Sequence, residues 1–173
     1  MALDDADDEF NNVNPGDPRP WMQEGIYPAR WVGKDISLSP WGEKLIMHWH
    51  VPTASDIRNL TTTVNMATPI ASYYNAKRDK ARRLKFGPLH SFRKDWIAAN
   101  DGRLPLRPNA LPLSVFKDRW FFVEVVTVNK DQKGELHPSC YWSKVQRVIR
   151  PVGDDEAIQR LPLQHGDITW RRD

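Results

Sequence analysis

Cysteine is almost absent from this sequence. Cys140 is the single one among 173 residues, so no internal disulfide can form and a reducing compartment is the expected setting. Long apolar runs are missing too: none approaches the ~20 residues that a membrane-spanning helix needs. The first residues are acidic and lack the basic and apolar regions of a secretory signal. These absences make the cytoplasm the default location and argue against a membrane partner. No glycine-rich phosphate loop, no Gly-x-Ser-x-Gly and no His-Glu-x-x-His occurs, so the chain carries no recognisable catalytic set.

What is present is an ordinary globular balance, with 40% hydrophobic and 27% charged residues, and a length that suits one domain with a real core. Fourteen prolines and eight tryptophans stand out; the prolines disfavour long helices and favour loops. The net charge of +3 is unevenly spread. Residues 1–10 hold five acids and no base, leaving +8 on the remainder. An acidic tail on a basic body recurs in proteins that bind polyanions, while a solubilising tail on a mildly basic surface is the alternative reading.

Residues 1–20 are acidic, Asn-rich and Pro-rich without hydrophobic period, and are expected to be a disordered tail. A domain over 21–150 follows, with 151–173 as a C-terminal tail or short helix. Within the domain, Gly25–Lys34 reads as a first strand that Pro28 confines to an edge or bulge. Ser39-Pro40-Trp41-Gly42 reads as a turn. Lys44–Val51 is the second strand, with Leu45, Met47, Trp49 and Val51 on one face. Thr68–Asn75 is a third strand, followed by a dense basic stretch. Ser91–Asn100 is the clearest helix, capped by Ser91 and stopped by Asp101-Gly102. Trp120–Asn129 is the strongest strand, rich in aromatic and β-branched residues. Residues 131–134 form a loop, and Tyr141–Ile149 is the fifth strand, closed by Pro151.

The element order β-β-β-α-β-β predicts a mainly β protein. The order is that of the OB-fold, a five-stranded Greek-key barrel with one helix between strands three and four; an SH3-like barrel or a small α+β sheet shares it.

A resemblance points the same way. Phe116-Lys117-Asp118-Arg119, the hydrophobic strand after it and the ending Ser143-Lys144-Val145 resemble the last hairpin of OB-fold proteins of phages and bacterial mobile elements. There a leader Phe-x-Gly-Lys/Arg precedes the strand and Ser-Lys-Val or Asn-Lys-Val ends the hairpin; Asp118 stands here where Gly is usual. The opening of the domain and Tyr74-Asn75 also resemble mobile-element proteins of similar size. The resemblance implies an OB-like domain that handles single-stranded nucleic acid, or a relative repurposed to bind protein.

The densest chemical signal is basic. Between Asn75 and Arg107 ten Lys and Arg face three acids, a density suited to phosphate contacts. Tyr73 and Tyr74 precede this stretch and Phe86 lies at its end; aromatic platforms beside a basic groove grip single strands. The expected nucleic-acid contacts are therefore Lys77, Arg78, Lys80, Arg82, Arg83 and Lys85, with Tyr74 and Trp142 stacking and Lys144 beside Trp142 on its strand. The plain alternative is a solvated loop and helix face. Trp49 and Trp96 sit at core positions, whereas Trp31, Trp41 and Trp142 lie where a ring can be exposed. His48, His50, His137 and Cys140 match no strong zinc spacing; a half-exposed strand face and a buried thiol are expected, with no metal and no cofactor. Single-stranded DNA, in preference to RNA, is the expected partner. A protein-binding or inhibitor module on the same barrel is the alternative, and a metal-dependent nuclease a remote third. Oligomeric state is left open.

Overall fold

The period of two in Lys44–Val51 is satisfied by a buried face: Leu45, Met47, Trp49 and Val51 are all inaccessible to solvent. They lie on β3 (Gly42–Val51) of a computed structural model that describes residues 19–40, 42–52, 68–108, 110–160 and 168–171. The protein is mainly β. Its principal sheet comprises β3 with β2 (Gly25–Ser39), β4 (Thr68–Arg78), β5 (Leu84–Lys85), β6 (Trp120–Val128) and β9 (Trp142–Val152). The antiparallel order is β5-β4-β3-β2-β6-β9. The short pairs β7 (Lys130–Asp131) with β8 (Gly134–Glu135), and β1 (Arg19–Met22) with β10 (Ile168–Arg171), stand apart from it. Two α-helices occur among the described residues, α1 (Ser91–Ala99) and α2 (Asp154–Gln159). Neither is long and apolar enough to cross a membrane.

Several boundaries depart from expectation for identifiable reasons. The first strand extends to Ser39 because it changes partners midway: Gly25–Arg30 pair with β6, and Arg30–Ser39 pair with β3, with a register shift between Trp31 and Gly33. Pro28 falls in the half that has β6 on one side only, the edge position in which proline is tolerated. Pro151 does not close the last strand; β9 continues to Val152, tolerated because β9 is at the end of the sheet. Ser91 is not the helix cap. His90 holds that position, its Nδ1 accepting the Phe92 N–H at 3.1 Å. The helix stops as expected, with Asp101 and Gly102 both at positive φ. Within 151–173, Asp154–Gln159 form the expected short helix, α2, and the strand Ile168–Arg171, which was not expected, pairs with β1. Residues 1–18 and Trp41 lie outside the described residues.

The sheet curls. β4 and β9 are far apart in strand order, yet the Tyr73 and Trp142 rings meet edge to face at 5.8 Å. No ladder joins the two strands, so by hydrogen bonding the six-stranded sheet is open. Part of the seam is spanned by α1. Asp95 lies at the buried spacing of Phe92, Trp96 and Ala99. Its Oδ2 accepts from the Tyr74 hydroxyl on β4 at 2.6 Å, and its Oδ1 from the Val148 backbone N–H on β9 at 3.0 Å. Further along β9, the Ser143 hydroxyl accepts the Met22 N–H at 3.0 Å and donates to the Met22 carbonyl, fastening β1 to β9. Around this frame Trp49, Phe92, Phe116 and Phe121 interlock edge-on and tilted, and the buried Trp49 indole N–H donates to Ser72 Oγ at 3.0 Å.

Candidate nucleic-acid interface

The basic stretch is a β-hairpin, not a loop. β4 runs to Arg78 and pairs with the two residues of β5 across a turn organised by Asp79. The Asp79 carbonyl accepts the Arg82 N–H at 2.9 Å, and its Oδ1 accepts the Arg83 N–H at 2.9 Å. Its Oδ2 takes the Arg83 Nε–H at 3.0 Å. The backbone bond from Arg83 is the largest cause holding the Asp79 carboxyl below its usual range. Arg82 takes a left-handed φ of 59°, the conformation that a tight turn imposes at one position.

This hairpin divides the six predicted cations into two groups. Arg78 is ion-paired to Glu43 on β3 and donates to the Arg82 carbonyl at 2.5 Å, and Arg83 is committed to Asp79. These two arginines hold the hairpin together. Lys77, Lys80, Arg82 and Lys85 are exposed, and none of the ion pairs among the described residues engages their side chains. Lys77 and Lys85 are direct cross-strand partners, so two ammonium groups share one face, an arrangement that disfavours pairing until an anion lies between them.

Alternation along β4 decides the aromatic question. Tyr74 is 3% exposed and belongs to the core, its ring against Phe92 at 5.1 Å. It cannot stack on a base, which corrects the sequence expectation. Tyr73 is the outward, half-exposed residue, on the same face as Asn75 and Lys77. Phe86 is buried too, tilted against Phe92 at 4.4 Å. Trp142 is 6% exposed, which leaves little ring surface for a base beyond the edge shared with Tyr73. Lys144, two residues on, is half-buried; burial first and the neighbouring Lys44 second hold its ammonium below the usual lysine range. The structure thus brings Tyr73, Trp142, Lys44 and Lys144 together across the seam, beside the middle of β4, whose C-terminal end carries the cationic hairpin.

Tyr73 and Lys44 were absent from the expected contacts. Both follow from the register of β3 against β4, where Leu45 opposes Tyr74 and Lys44 opposes Asn75: once Leu45 faces inward, so does Tyr74. A second aromatic group was also missed. Trp120 and Phe122 lie on the outer face of β6, covered by guanidinium groups, with Arg30 4.8 Å from the Trp120 centroid and Arg150 4.8 Å from that of Phe122. Ala157 of α2 packs on Trp120. These rings are already roofed and offer no platform.

The metal candidates are engaged separately. His48 Nε2 lies 2.7 Å from Asp35 Oδ2, and His137 Nδ1 lies 2.6 Å from Ser139 Oγ. Burial, with His48 alongside, lowers the His50 pKa. Cys140 is exposed, not buried as expected, because it falls in the short 3-10 turn Pro138–Cys140 outside the sheet. Among the described residues no three potential ligands converge.

No family model matches the chain, and no curated protein or solved structure matches it significantly.

Proposed function

We propose that this protein is a binding module for single-stranded nucleic acid, DNA in preference to RNA, with little sequence preference. The observation that carries the reading is the β4–β5 hairpin, which presents Lys77, Lys80, Arg82 and Lys85 without carboxylate partners among the described residues while Arg78, Arg83 and Asp79 hold its shape. Exposed cations on a braced hairpin suit a phosphate backbone, which is recognised by charge and spacing and not by base identity. Tyr73 supplies the adjoining aromatic surface.

An OB-like reading of the architecture supports this function. Leaving out the two-residue β5, the strands run β4-β3-β2-β6-β9, and α1 lies between the third and fourth long strands of the chain. That is the connectivity of a Greek-key barrel whose ends approach without full closure, and its outer face and flanking loops are the surfaces on which oligonucleotides bind. The resemblance of Phe116–Arg119 and Ser143–Val145 to phage and mobile-element proteins agrees with it. Asp118, in the position usually held by Gly, has a left-handed φ of 55°, the conformation in which glycine is favoured.

Fluorescence anisotropy with labelled single-stranded and double-stranded oligonucleotides over a salt series tests the proposal. Binding should favour the single strand and weaken steeply with salt. Replacing Lys80 and Arg82 together by Ala should flatten the salt slope by about 0.7 per lost contact. Absence of binding at low salt by the folded protein would sink the reading.

A further inference from the structure

The partner exchange of β2 leaves an open strand edge. Its first half is flanked by β6 and its second half by β3, so from Gly33 to Ser39 no described strand occupies the other side. On an antiparallel strand, alternate residues of such a segment direct their N–H and C=O groups outward. Lys34 and Asp35 put charge at the start of this edge, and its far half is apolar and exposed. Ile36 is 37% exposed and Leu38 75%, and both are on the face of β2 that carries Lys34, with Ile36 opposite Leu45.

Beside it, on that same face, is a cavity of about 250 Å³ lined by Lys34, Leu45, Leu84, Phe86, Phe92, Pro108, Leu111 and Leu113. It falls short of the ~300–1,000 Å³ typical of small-molecule sites, which suits one large apolar side chain better than a free ligand. Lys34 lines the cavity, and Arg93 adjoins Phe92, which also lines it. Asp35, next to Lys34, is on the other face of β2, with His48 Nε2 2.7 Å from its Oδ2. Arg93 donates to the Pro108 carbonyl at 2.5 Å.

We propose that the Lys34–Leu38 edge and this cavity form a docking site for an extended acidic segment of a partner protein. The segment adds as a strand to β2, places a bulky apolar side chain in the cavity and sets carboxylates against Lys34 and Arg93. Main-chain hydrogen bonds supply affinity and the pocket for alternate side chains supplies selectivity. This site lies on the opposite face of the β2–β3 hairpin from Tyr73 and does not depend on the nucleic-acid reading.

The test uses the full chain, isotopically labelled for NMR, and a blocked octapeptide in which Asp, Phe, Val and Asp alternate with Thr. Saturable shifts and slowed amide exchange should map to Lys34–Leu38 and to Leu84, Phe86 and Leu111. A peptide with Lys for Asp should bind about tenfold more weakly, and Lys34→Glu should reverse that order. Ile36→Asp, at an exposed position, should keep the native melting temperature and lose the acidic peptide. Lack of saturable binding, or an unchanged order in Lys34→Glu, would overturn the proposal. So would sedimentation showing self-association that Ile36→Asp abolishes, which would give the edge to a second copy of the chain. Displacement of the peptide by a single-stranded oligonucleotide would give it to nucleic acid.

Discussion

Asp95 accepts from Tyr74 on β4 at 2.6 Å and from the Val148 N–H on β9 at 3.0 Å, so one carboxylate bridges the two strands where the sheet fails to join. An outward N–H at the last strand would be costly if buried unpaired. Placing an acid on the apolar stripe of α1 solves that problem but creates another, because burial raises its pKa to about 6 despite the Tyr74 and Val148 hydrogen bonds.

The first prediction follows from that shift. In the folded protein Asp95 keeps its proton up to about pH 6; in the unfolded chain it loses it near the ordinary carboxyl value. Between those values folding takes up a proton, so the contribution of Asp95 grows less favourable as pH rises through the window. With 1.36 kcal/mol for each pKa unit, the cost fully present at pH 7 is on the order of 2–3 kcal/mol. Asp95→Asn retains an acceptor for Val148 and cannot ionise. Its stability relative to native should increase between pH 4 and pH 7, measured by urea unfolding at each pH. A constant difference would contradict the assignment.

Tyr73 and Tyr74 should separate binding from stability. Tyr74→Phe removes a donor to a buried carboxylate and should cost about 1.5–3 kcal/mol of stability, with oligonucleotide affinity of the folded protein unchanged. Tyr73→Ala should weaken single-strand binding by about 1–3 kcal/mol and leave the salt slope intact. Paired denaturation and anisotropy measurements read both.

The hairpin turn should depend on Asp79. Asp79→Ala removes the acceptors for the Arg83 N–H and guanidinium, and should speed hydrogen exchange at the Arg83 amide while the Val123 and Val125 amides keep theirs. Asp79 is held below its usual pKa, so its support is present at neutral pH and lost as pH falls through the folded value. Slow exchange at Arg83 that persists in the variant would show that the turn is held by its backbone alone.

Asp118 tests local strain. At a φ of 55° an L-residue with a Cβ is disfavoured by roughly 1–2 kcal/mol, less for Asp than for most. Asp118→Gly should therefore raise the melting temperature slightly, the extra flexibility of the unfolded glycine offsetting part of the gain. Asp118→Val, which tolerates that conformation poorly, should lower it.

Chelation should leave the melting temperature unchanged, since His48 and His137 are hydrogen-bonded to Asp35 and Ser139 and not to a shared centre. Stoichiometric zinc in purified protein, lost in His48→Ala, would show otherwise.

Much of the framework was legible in the residues. The alternation in Lys44–Val51 identified the inward face of β3, and the β-branched and aromatic run from Trp120 identified β6, because a half-buried strand must sort its side chains with period two. The density of Lys and Arg after Asn75 was equally plain. Four things were not. The inward tyrosine depends on register, which local pattern leaves undetermined by one residue, and one residue exchanges the faces. Asp95 was visible as an acid at the spacing of Phe92 and Trp96, but its partners are 21 and 53 residues away.

Charge patterning alone could not tell which cations are spent. Arg78 meets Glu43 across the sheet and Arg83 meets Asp79 across a turn, leaving Lys77, Lys80, Arg82 and Lys85 outward. Nor could it show that β2 gives one edge to β6 and the other to β3, which exposes the Lys34–Leu38 edge. Sequence by itself determined the five long strands, the helix after Ser91 and the density of positive charge, since those depend on near neighbours in the chain. Only the tertiary structure decided which tyrosine faces out, which arginines are bound and which strand edge is open, because each depends on a partner that chain folding brings from far away.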